Sequence, residues 1–170
     1  MILDLYADNR FVMSGGDAGI VAGSCWQEAV AGTNGLGTAL AAGQPVAVTA
    51  LAHYFFSLGA VSCTAAPVRD AQGEVVGVLD AFSCFESRQH HTQALVKLAA
   101  TPIENGLLLH QLRAHWVLAI QPQAEFLGTL SAGLLVFDAQ GRLLARNARG
   151  RHLLQGLEAR QGVDFDSLFG

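Results

Sequence analysis

Basic residues are few in this sequence, and none of them gather into a cluster. The 170 residues include 10 Lys and Arg against 14 Asp and Glu, for a formal net charge of −4. The densest basic group is Arg146, Arg149 and Arg151, whose spacing is typical of a solvated helix face. Because no basic stripe is present, we expect no direct contact between this chain and nucleic acid.

Long apolar runs are also missing. No segment approaches the roughly 20 apolar residues that span a bilayer, and the apolar stretch at residues 103–120 is interrupted by Glu104, Asn105 and Arg113. The first residues, MILDLYADNRFV, carry Asp4 and no basic start, which argues against a signal peptide. We therefore expect a cytoplasmic protein without a membrane partner.

Cysteines are few and show no pairing pattern. Cys25, Cys63 and Cys84 are widely separated, odd in number and form no CxxC motif. Such usage is typical of reduced thiols in a cytoplasm rather than of a disulfide scaffold.

Patterns for metal binding and acid–base catalysis are absent too. His90 and His91 are adjacent and so point to different sides of a helix, which is not a ligand spacing. Asp80 is a single carboxylate in an apolar strand, so no carboxylate pair is available. We expect no catalytic residue, no metal and no cofactor. Asp80 is expected to bond either the backbone at the strand end or a ligand hydroxyl.

Hydrophobic residues are abundant at 51%, against 14% charged, which is enough for a packed core. Strand patterns flank the turn sequence DAQG twice, at residues 70–73 and 138–141. Apolar residues on both faces at 75–80 predict a central strand. Leucines at spacings of three and four predict a helix over residues 89–120, kinked or broken at Pro102. Hairpins combined with helices predict an α+β fold.

The glycine-rich stretch AVAGTNGLGTALAAG, residues 30–44, has some features of a phosphate-binding loop. It contains no lysine for a Walker motif, and no third glycine follows Gly35 and Gly37 to complete a dinucleotide fingerprint. We therefore interpret it as a helix whose small residues allow close packing on a sheet, capped by Thr33 or Asn34.

Five ordered segments carry a resemblance to a known family. They are WQEAVAGTNGLGTAL from residue 26, PVAV from residue 45, HYF from residue 53, SCTAAPVRDAQGEVVGVLD from residue 62 and AATPIENGL from residue 99. Together they resemble the sensory GAF domain of sigma-54-dependent transcriptional activators of the acetoin-catabolism and dihydroxyacetone-operon type. Ala52 stands where the family has Glu before His, and Thr64 stands where it has Ser after Cys. GLLVFDAQGRLLARN from residue 133 resembles the opening of a PAS domain.

The resemblance implies a domain organisation. It assigns a GAF-like antiparallel sheet flanked by helices to residues 1–113, the end of a long connector helix and a linker to 114–123, and an incomplete PAS-like domain to 124–170. It also implies ATPase and DNA-binding domains that these 170 residues do not contain. The connector helix, within residues 89–120, is expected to pair in a homodimer. A small shift of this helix is expected to transmit ligand binding to the next domain.

A GAF-like sheet leaves a pocket beneath its covering loops, so the resemblance implies a site for a small-molecule metabolite. The candidate ligand-binding residues are Trp26, His53, Tyr54, Phe56, Cys63 and Asp80. His53 and the aromatic residues would roof the pocket, and Cys63 would lie on its floor. In the alternative interpretation, Trp26 and the other aromatic side chains fill the core.

Two other functions stay open. If side chains fill the pocket, the same face is expected to bind a partner protein. A thiol-dependent reductase of free methionine sulfoxide, as some GAF-fold proteins are, would use Cys63 and Cys84 on paired strands, or Cys25 before a helix. Buried cysteines are more commonly small core residues.

Overall fold

The computed structural model describes residues 1–7, 19–83, 89–157 and 160–170. In chain order the elements are α1 Glu28–Ala31, α2 Gly35–Ala42, β1 Val46–Thr49, β2 Ser62–Arg69, β3 Val75–Ser83, α3 Gln89–Gln111, β4 Trp116–Ile120, β5 Gly133–Phe137, β6 Leu143–Arg146, α4 Ala148–Leu153 and α5 Phe165–Phe169, with short 3-10 turns at Ala50–Ala52, Phe56–Leu58 and Ala124–Phe126. Antiparallel sheets and helices confirm the predicted α+β class. The bounds 1–113, 114–123 and 124–170 stay predictions.

The chain forms two compact units. The first comprises Met1–Val68 and Val75–Ala100, and the second comprises Arg69–Glu74 and Thr101–Gly170. The turn between β2 and β3 therefore belongs to the second unit, although most of both strands belongs to the first.

Strand β2 is the middle strand of the first sheet, in the order β1-β2-β3. It pairs antiparallel with β1, with Val48 opposite Cys63, and it is buried from Ser62 to Val68. Strand β3 is only half-buried. Among the described strands β2 is therefore the middle one, and the central position of residues 75–80 stays a prediction. Small side chains such as Ala65 and Ala66 let β2 be covered on both faces.

Helix α2 packs against β1 and β3 and begins as predicted. Asn34 is its N-cap, and the Asn34 side-chain oxygen accepts a hydrogen bond from the Gly37 amide at 2.8 Å. The Asn34 amide group donates to the carbonyls of Gly32 at 2.7 Å and Trp26 at 3.1 Å. A Cβ at Gly37 would collide with the Trp26 carbonyl. The glycines therefore serve close packing, as the sequence suggests.

The second unit is built on the sheet β4-β5-β6, antiparallel throughout. The prediction that the helix continues to Ile120 is wrong, because α3 ends at Gln111 and Trp116–Ile120 is strand β4. Two backbone hydrogen bonds close the helix, one from the Leu112 amide and one from the His115 amide. The β-favouring sequence WVLAI then pairs along all of β5.

Helix α3 runs through Pro102 without a break in its assignment. Proline has no amide hydrogen, so the carbonyl of Leu98 lacks its usual helical donor. The helix passes from the first unit to the second between Ala100 and Thr101, directly before this proline. Among the described residues, no helix is long and apolar enough to cross a membrane.

Candidate functional site

His53 and Cys63 lie in direct contact in the first unit. His53 is buried, and its Nε2 lies 3.1 Å from the Cys63 Sγ. Its Nδ1 lies 3.0 Å from the carbonyl oxygen of Ala50, which can only accept. The hydrogen is therefore placed on Nδ1, and Nε2 accepts from the Cys63 thiol. The ring of His53 is thus held by two hydrogen bonds.

The segment that carries His53 has a strained start. Ala50 has φ +43°, in the left-handed region that residues with a side chain rarely occupy. The Ala50 carbonyl accepts hydrogen bonds from both the amide and the ring of His53. This short turn thus fixes the imidazole over Cys63. The neighbouring Ala52, where the family has Glu, is exposed.

Asp80 carries a buried carboxyl group whose two oxygens both lack a hydrogen bond of good geometry. Burial raises the pKa of Asp80 to about 7, and the backbone amides of Ala81 and Thr64 oppose this rise in part. Unpaired buried carboxyl groups are costly and are uncommon outside functional sites.

Gly35, the first residue of α2, brings Asp80 and Cys63 together. A Cβ at Gly35 would lie 2.6 Å from Asp80 Oδ2 and 2.7 Å from the Cβ of Cys63. Burial, followed by the negative charge of Asp80, raises the pKa of the Cys63 thiol well above its ordinary range, while the Gly35 backbone lowers it slightly. The structure thus joins His53, Cys63 and Asp80 into one cluster around Gly35, a residue that sequence reasoning assigned to packing alone.

The aromatic candidates lie elsewhere. Trp26 packs in a core cluster with Ile2, Ile20, Ala31 and Leu58, and its ring nitrogen donates to Ser24 Oγ at 2.9 Å. Tyr54 is 73% exposed and lies over Gly32, whose lack of a side chain makes room for the ring. Phe56 is 88% exposed.

Cys63 does not have the features of a redox-active thiol. A reactive cysteine needs a lowered pKa and access to solvent, whereas Cys63 is buried with its pKa raised. Cys25 is exposed, and Cys84 lies outside the described residues. Those residues also contain no group of three His, Cys, Asp or Glu side chains able to hold a metal ion.

The second unit has an open cavity of about 330 Å³. Its lining is mostly apolar and consists of Trp116, Val117, Leu118, Phe137, Asp138, Ala139, Gly141 and Phe165. The polar side chain, Asp138, is already bound to Arg142 at 3.0 Å. Unlike the cluster around Asp80, this cavity has a carboxylate that is already paired.

Comparison with known proteins identifies the family. The GAF domain model matches residues 2–107, so this chain belongs to the GAF domain family. The resemblance predicted from the motifs is confirmed.

The named relatives are regulators of transcription. The chain is 34% identical over 143 residues to the acetoin catabolism regulatory protein of Cupriavidus necator, covering 82% of this chain and 21% of that protein. It is 40% identical over 70 residues to the acetoin dehydrogenase operon transcriptional activator AcoR of Bacillus subtilis, covering 41% of this chain and 11% of that protein. The chain thus spans about a fifth or less of the length of these relatives.

A solved structure, the E. coli DhaR(N)–DhaL complex, matches the fold. The TM-score is 0.59 at 24% identity, and the match covers 98% of this chain and 57% of that chain. At this identity the likeness supports the architecture alone.

Proposed function

We propose that this chain is the effector-sensing part of a transcriptional activator, and that a small metabolite binds at the cluster of His53, Cys63 and Asp80. The observation that carries the proposal is the buried carboxyl of Asp80, neither of whose oxygens has a hydrogen bond of good geometry. Such a group lowers stability unless something compensates it. A ligand that donates hydrogen bonds would supply that compensation.

The chemistry of the cluster narrows the effector. Two free carboxyl oxygens favour a ligand with one or two hydroxyl groups, and a negatively charged ligand would be repelled once Asp80 ionises. The relatives named for acetoin regulation make small hydroxyketones and diols the first compounds to test.

Binding requires a local opening, since the Asp80 oxygens are covered. We place this opening at residues 50–61, which carry His53 and consist of short turns with one strained residue, Ala50. An effector that displaces the His53–Cys63 hydrogen bond would reorder this loop and shift the population of conformations.

The experiment is a thermal-shift screen of the protein against small diols, hydroxyketones, aldehydes and organic acids. A ligand that binds only the native state raises Tm with dose, by an amount that corresponds to about 2.7 kcal/mol at 100 times its Kd. Asp80→Asn keeps the shape of the side chain and is expected to abolish the rise. Asp166→Asn, the same change at an exposed position in α5, should leave it intact.

No rise with any compound, in a sample that melts cooperatively, would contradict the proposal. A rise that survives Asp80→Asn would remove Asp80 from the site while leaving a sensory function in place.

A second candidate function rests on the exposed apolar residues of the same loop. Leu51, Tyr54 and Phe56 are each more than 70% exposed, and clustered exposed apolar side chains favour a protein-binding surface. This candidate predicts that Phe56→Ser leaves ligand-induced stabilisation unchanged but weakens partner binding by the complete regulator. Loss of the ligand response in Phe56→Ser would instead place this residue in the effector site.

We also propose a homodimer through residues 89–120, now with α3 as its helical part. Leu95, Leu98, Ile103 and Leu109 of α3 are all exposed apolar side chains, which supports pairing. Sedimentation equilibrium at high micromolar concentration tests this, and a monomer there would overturn it.

A further inference from the structure

The turn between β2 and β3 is bound to the second half of α3. The Arg69 amide donates to Glu104 Oε1 at 2.9 Å, and the Ala71 amide donates to Gln111 Oε1 at 3.1 Å. These partners are 35 and 40 residues apart in sequence. The Ala71 side chain is buried in a cluster with Leu108 of the same helix. The turn is therefore joined to α3 by two hydrogen bonds and by a shared apolar cluster.

The same half of α3 is bound to the sheet of the second unit. Leu108 packs with Val136 of β5 and Ala145 of β6. Asn105 Oδ1 accepts from Asn147 Nδ2 at 3.0 Å. Leu108 thus shares one apolar cluster with Ala71 of the β2–β3 turn and with residues of β5 and β6, the second hairpin.

The side-chain amide of Asn147 is fully hydrogen-bonded, so it cannot keep its bond to Asn105 of α3 if that helix moves without losing another. Its side-chain oxygen accepts from the Gly150 amide at 2.7 Å and from the Leu134 amide at 2.9 Å, and so caps α4. Its nitrogen also donates to the Ala132 carbonyl at 3.1 Å. A shift of α3 at Asn105 would therefore disturb both the start of α4 and the edge of β5.

The base of the β2–β3 hairpin carries two members of the candidate site. Cys63 lies in β2 and Asp80 lies in β3, and the two strands are hydrogen-bonded neighbours. A paired ribbon is stiff along its length, whereas α3 lacks one backbone hydrogen bond at Pro102, where it passes between the units. The hairpin thus connects these two residues directly to the turn.

We propose that the β2–β3 hairpin carries the state of the effector site to the second unit, with Glu104 and Gln111 of α3 as the positioning residues that receive its turn. This inference rests on the proposed function, because it assumes that the Cys63–Asp80 cluster changes state. The inference assigns the coupling between the effector site and the second unit to the contacts of the β2–β3 turn with Glu104 and Gln111, rather than to α3 as a whole.

A double-mutant cycle tests the proposal without any ligand. Asp80→Asn perturbs the site, and amide hydrogen exchange measured by NMR reports the response at Ala71 and at residues 104–111. We expect exchange rates there to change on the order of 2- to 30-fold, the range of coupling found along such connections. In the Glu104→Ala/Gln111→Ala background, the response of residues 104–111 should vanish.

Three features make the cycle specific. Glu104→Gln keeps a side-chain oxygen that accepts from the Arg69 amide, so it should restore the response. His110→Ala removes an exposed neighbour of Gln111 and should not alter it. The amides of Gln140 and Arg142, in the turn of the second hairpin, serve as an internal reference for general stabilisation.

Gly35→Ala supplies a second perturbation from another element, because its methyl group would press on Asp80 and Cys63. No response at residues 71 and 104–111 to either perturbation overturns the proposal. The proposal is also overturned if the exchange rates change equally in the presence and absence of the Glu104→Ala/Gln111→Ala substitutions. If the mutant cycle shows coupling but no compound raises Tm, the hairpin proposal stands and the metabolite proposal is rejected. If a compound raises Tm but the cycle shows no coupling, the metabolite proposal stands and the hairpin proposal is rejected.

Discussion

The tetrapeptide Asp-Ala-Gln-Gly forms a hairpin turn twice in this protein, with the same local structure each time. The Asp70 carboxylate accepts from the amides two and four residues ahead at 3.0 and 2.9 Å, and Asp138 does the same at 2.9 and 2.8 Å. Gly73 and Gly141 have φ +91° and +76°. Asp at the first position and Gly at the last are sufficient for this turn.

The two turns differ in their surroundings. Ala71 is buried and its amide binds Gln111, whereas Ala139 is exposed. Identical sequence thus yields one turn bound to a helix and one at the surface. The comparison teaches that the turn is a local property, while its docking depends on Leu108 and Gln111, about 40 residues away.

The hairpins also differ in their strands. The first holds a buried thiol and a buried acid, Cys63 and Asp80, whereas the paired strands of the second are mostly apolar around Leu135 and Leu143. The second hairpin is built for packing, and the first carries polar groups that burial makes costly.

The largest expected effect comes from placing a charge at the second position of each turn. Ala71→Glu buries a carboxylate against Leu108 and should lower the free energy of unfolding of the second unit by about 3–5 kcal/mol. Ala139→Glu, at an exposed site, should change it by less than about 0.5 kcal/mol. Urea unfolding followed by residue-resolved NMR measures both. Equal losses would mean that the first turn is not docked.

The next effect concerns the buried acid of the first hairpin. Because its folded pKa of about 7 is above the ordinary 3.8, the contribution of Asp80 to stability is greatest below about pH 4, falls as pH rises toward 7, and levels off above it. Asp80→Asn removes this dependence of the unfolding free energy on pH. The variant should gain on the order of 3 kcal/mol relative to wild type between pH 4 and pH 8.

Chemical denaturation at several pH values checks this, with Asp166→Asn as the matched control. A wild-type stability that rises between pH 4 and pH 7 by an amount that Asp80→Asn cancels would reverse the sign of the predicted pKa shift.

A smaller effect should be equal in the two turns. Gly73→Ala and Gly141→Ala both force a Cβ into the left-handed region, at a cost of about 1–2 kcal/mol each. Neither added methyl group would meet an atom closer than 3.8 Å. Thermal unfolding of the two variants should therefore give similar shifts, and a difference of several kcal/mol would show that the turns are not locally equivalent.

The smallest effect concerns the residue after the second turn. The Arg142 backbone amide, followed by the other hydrogen bonds and the charge of Arg142, lowers the pKa of Asp138. Arg142→Gln keeps the backbone amide and removes the charge, so the pKa of Asp138 should rise only part of the way to its usual value. NMR titration of the Asp138 carboxyl carbon measures this. An unchanged pKa would mean that the Arg142 side chain has no influence on the turn.

The candidate site was predictable only in part. The family motifs single out His53, Cys63 and Asp80, and the structure joins them in one cluster, which remains a proposed ligand site. The role of Gly35 was missed because its contact is with strands 28 and 45 residues further along the chain. The resemblance places the aromatic residues Trp26, Tyr54 and Phe56 together over the pocket, but burial separates them into core and surface.

Local sequence by itself determined the features that depend on a few neighbouring residues. These are the two DAQG turns, the Asn34 cap of α2 and the glycine-rich packing helix, and the ordered motifs also determined the GAF family. Tertiary structure alone decided that WVLAI is strand β4 rather than the end of a helix, because pairing with β5 outweighs a helical pattern of leucines. It also decided that β2 is the middle one of the three described strands of its sheet, that Ala71 is buried while Ala139 is exposed, and that neither Asp80 oxygen has a hydrogen bond of good geometry. Each of these depends on which distant residues come into contact, and neither residue propensity nor sequence periodicity contains that information.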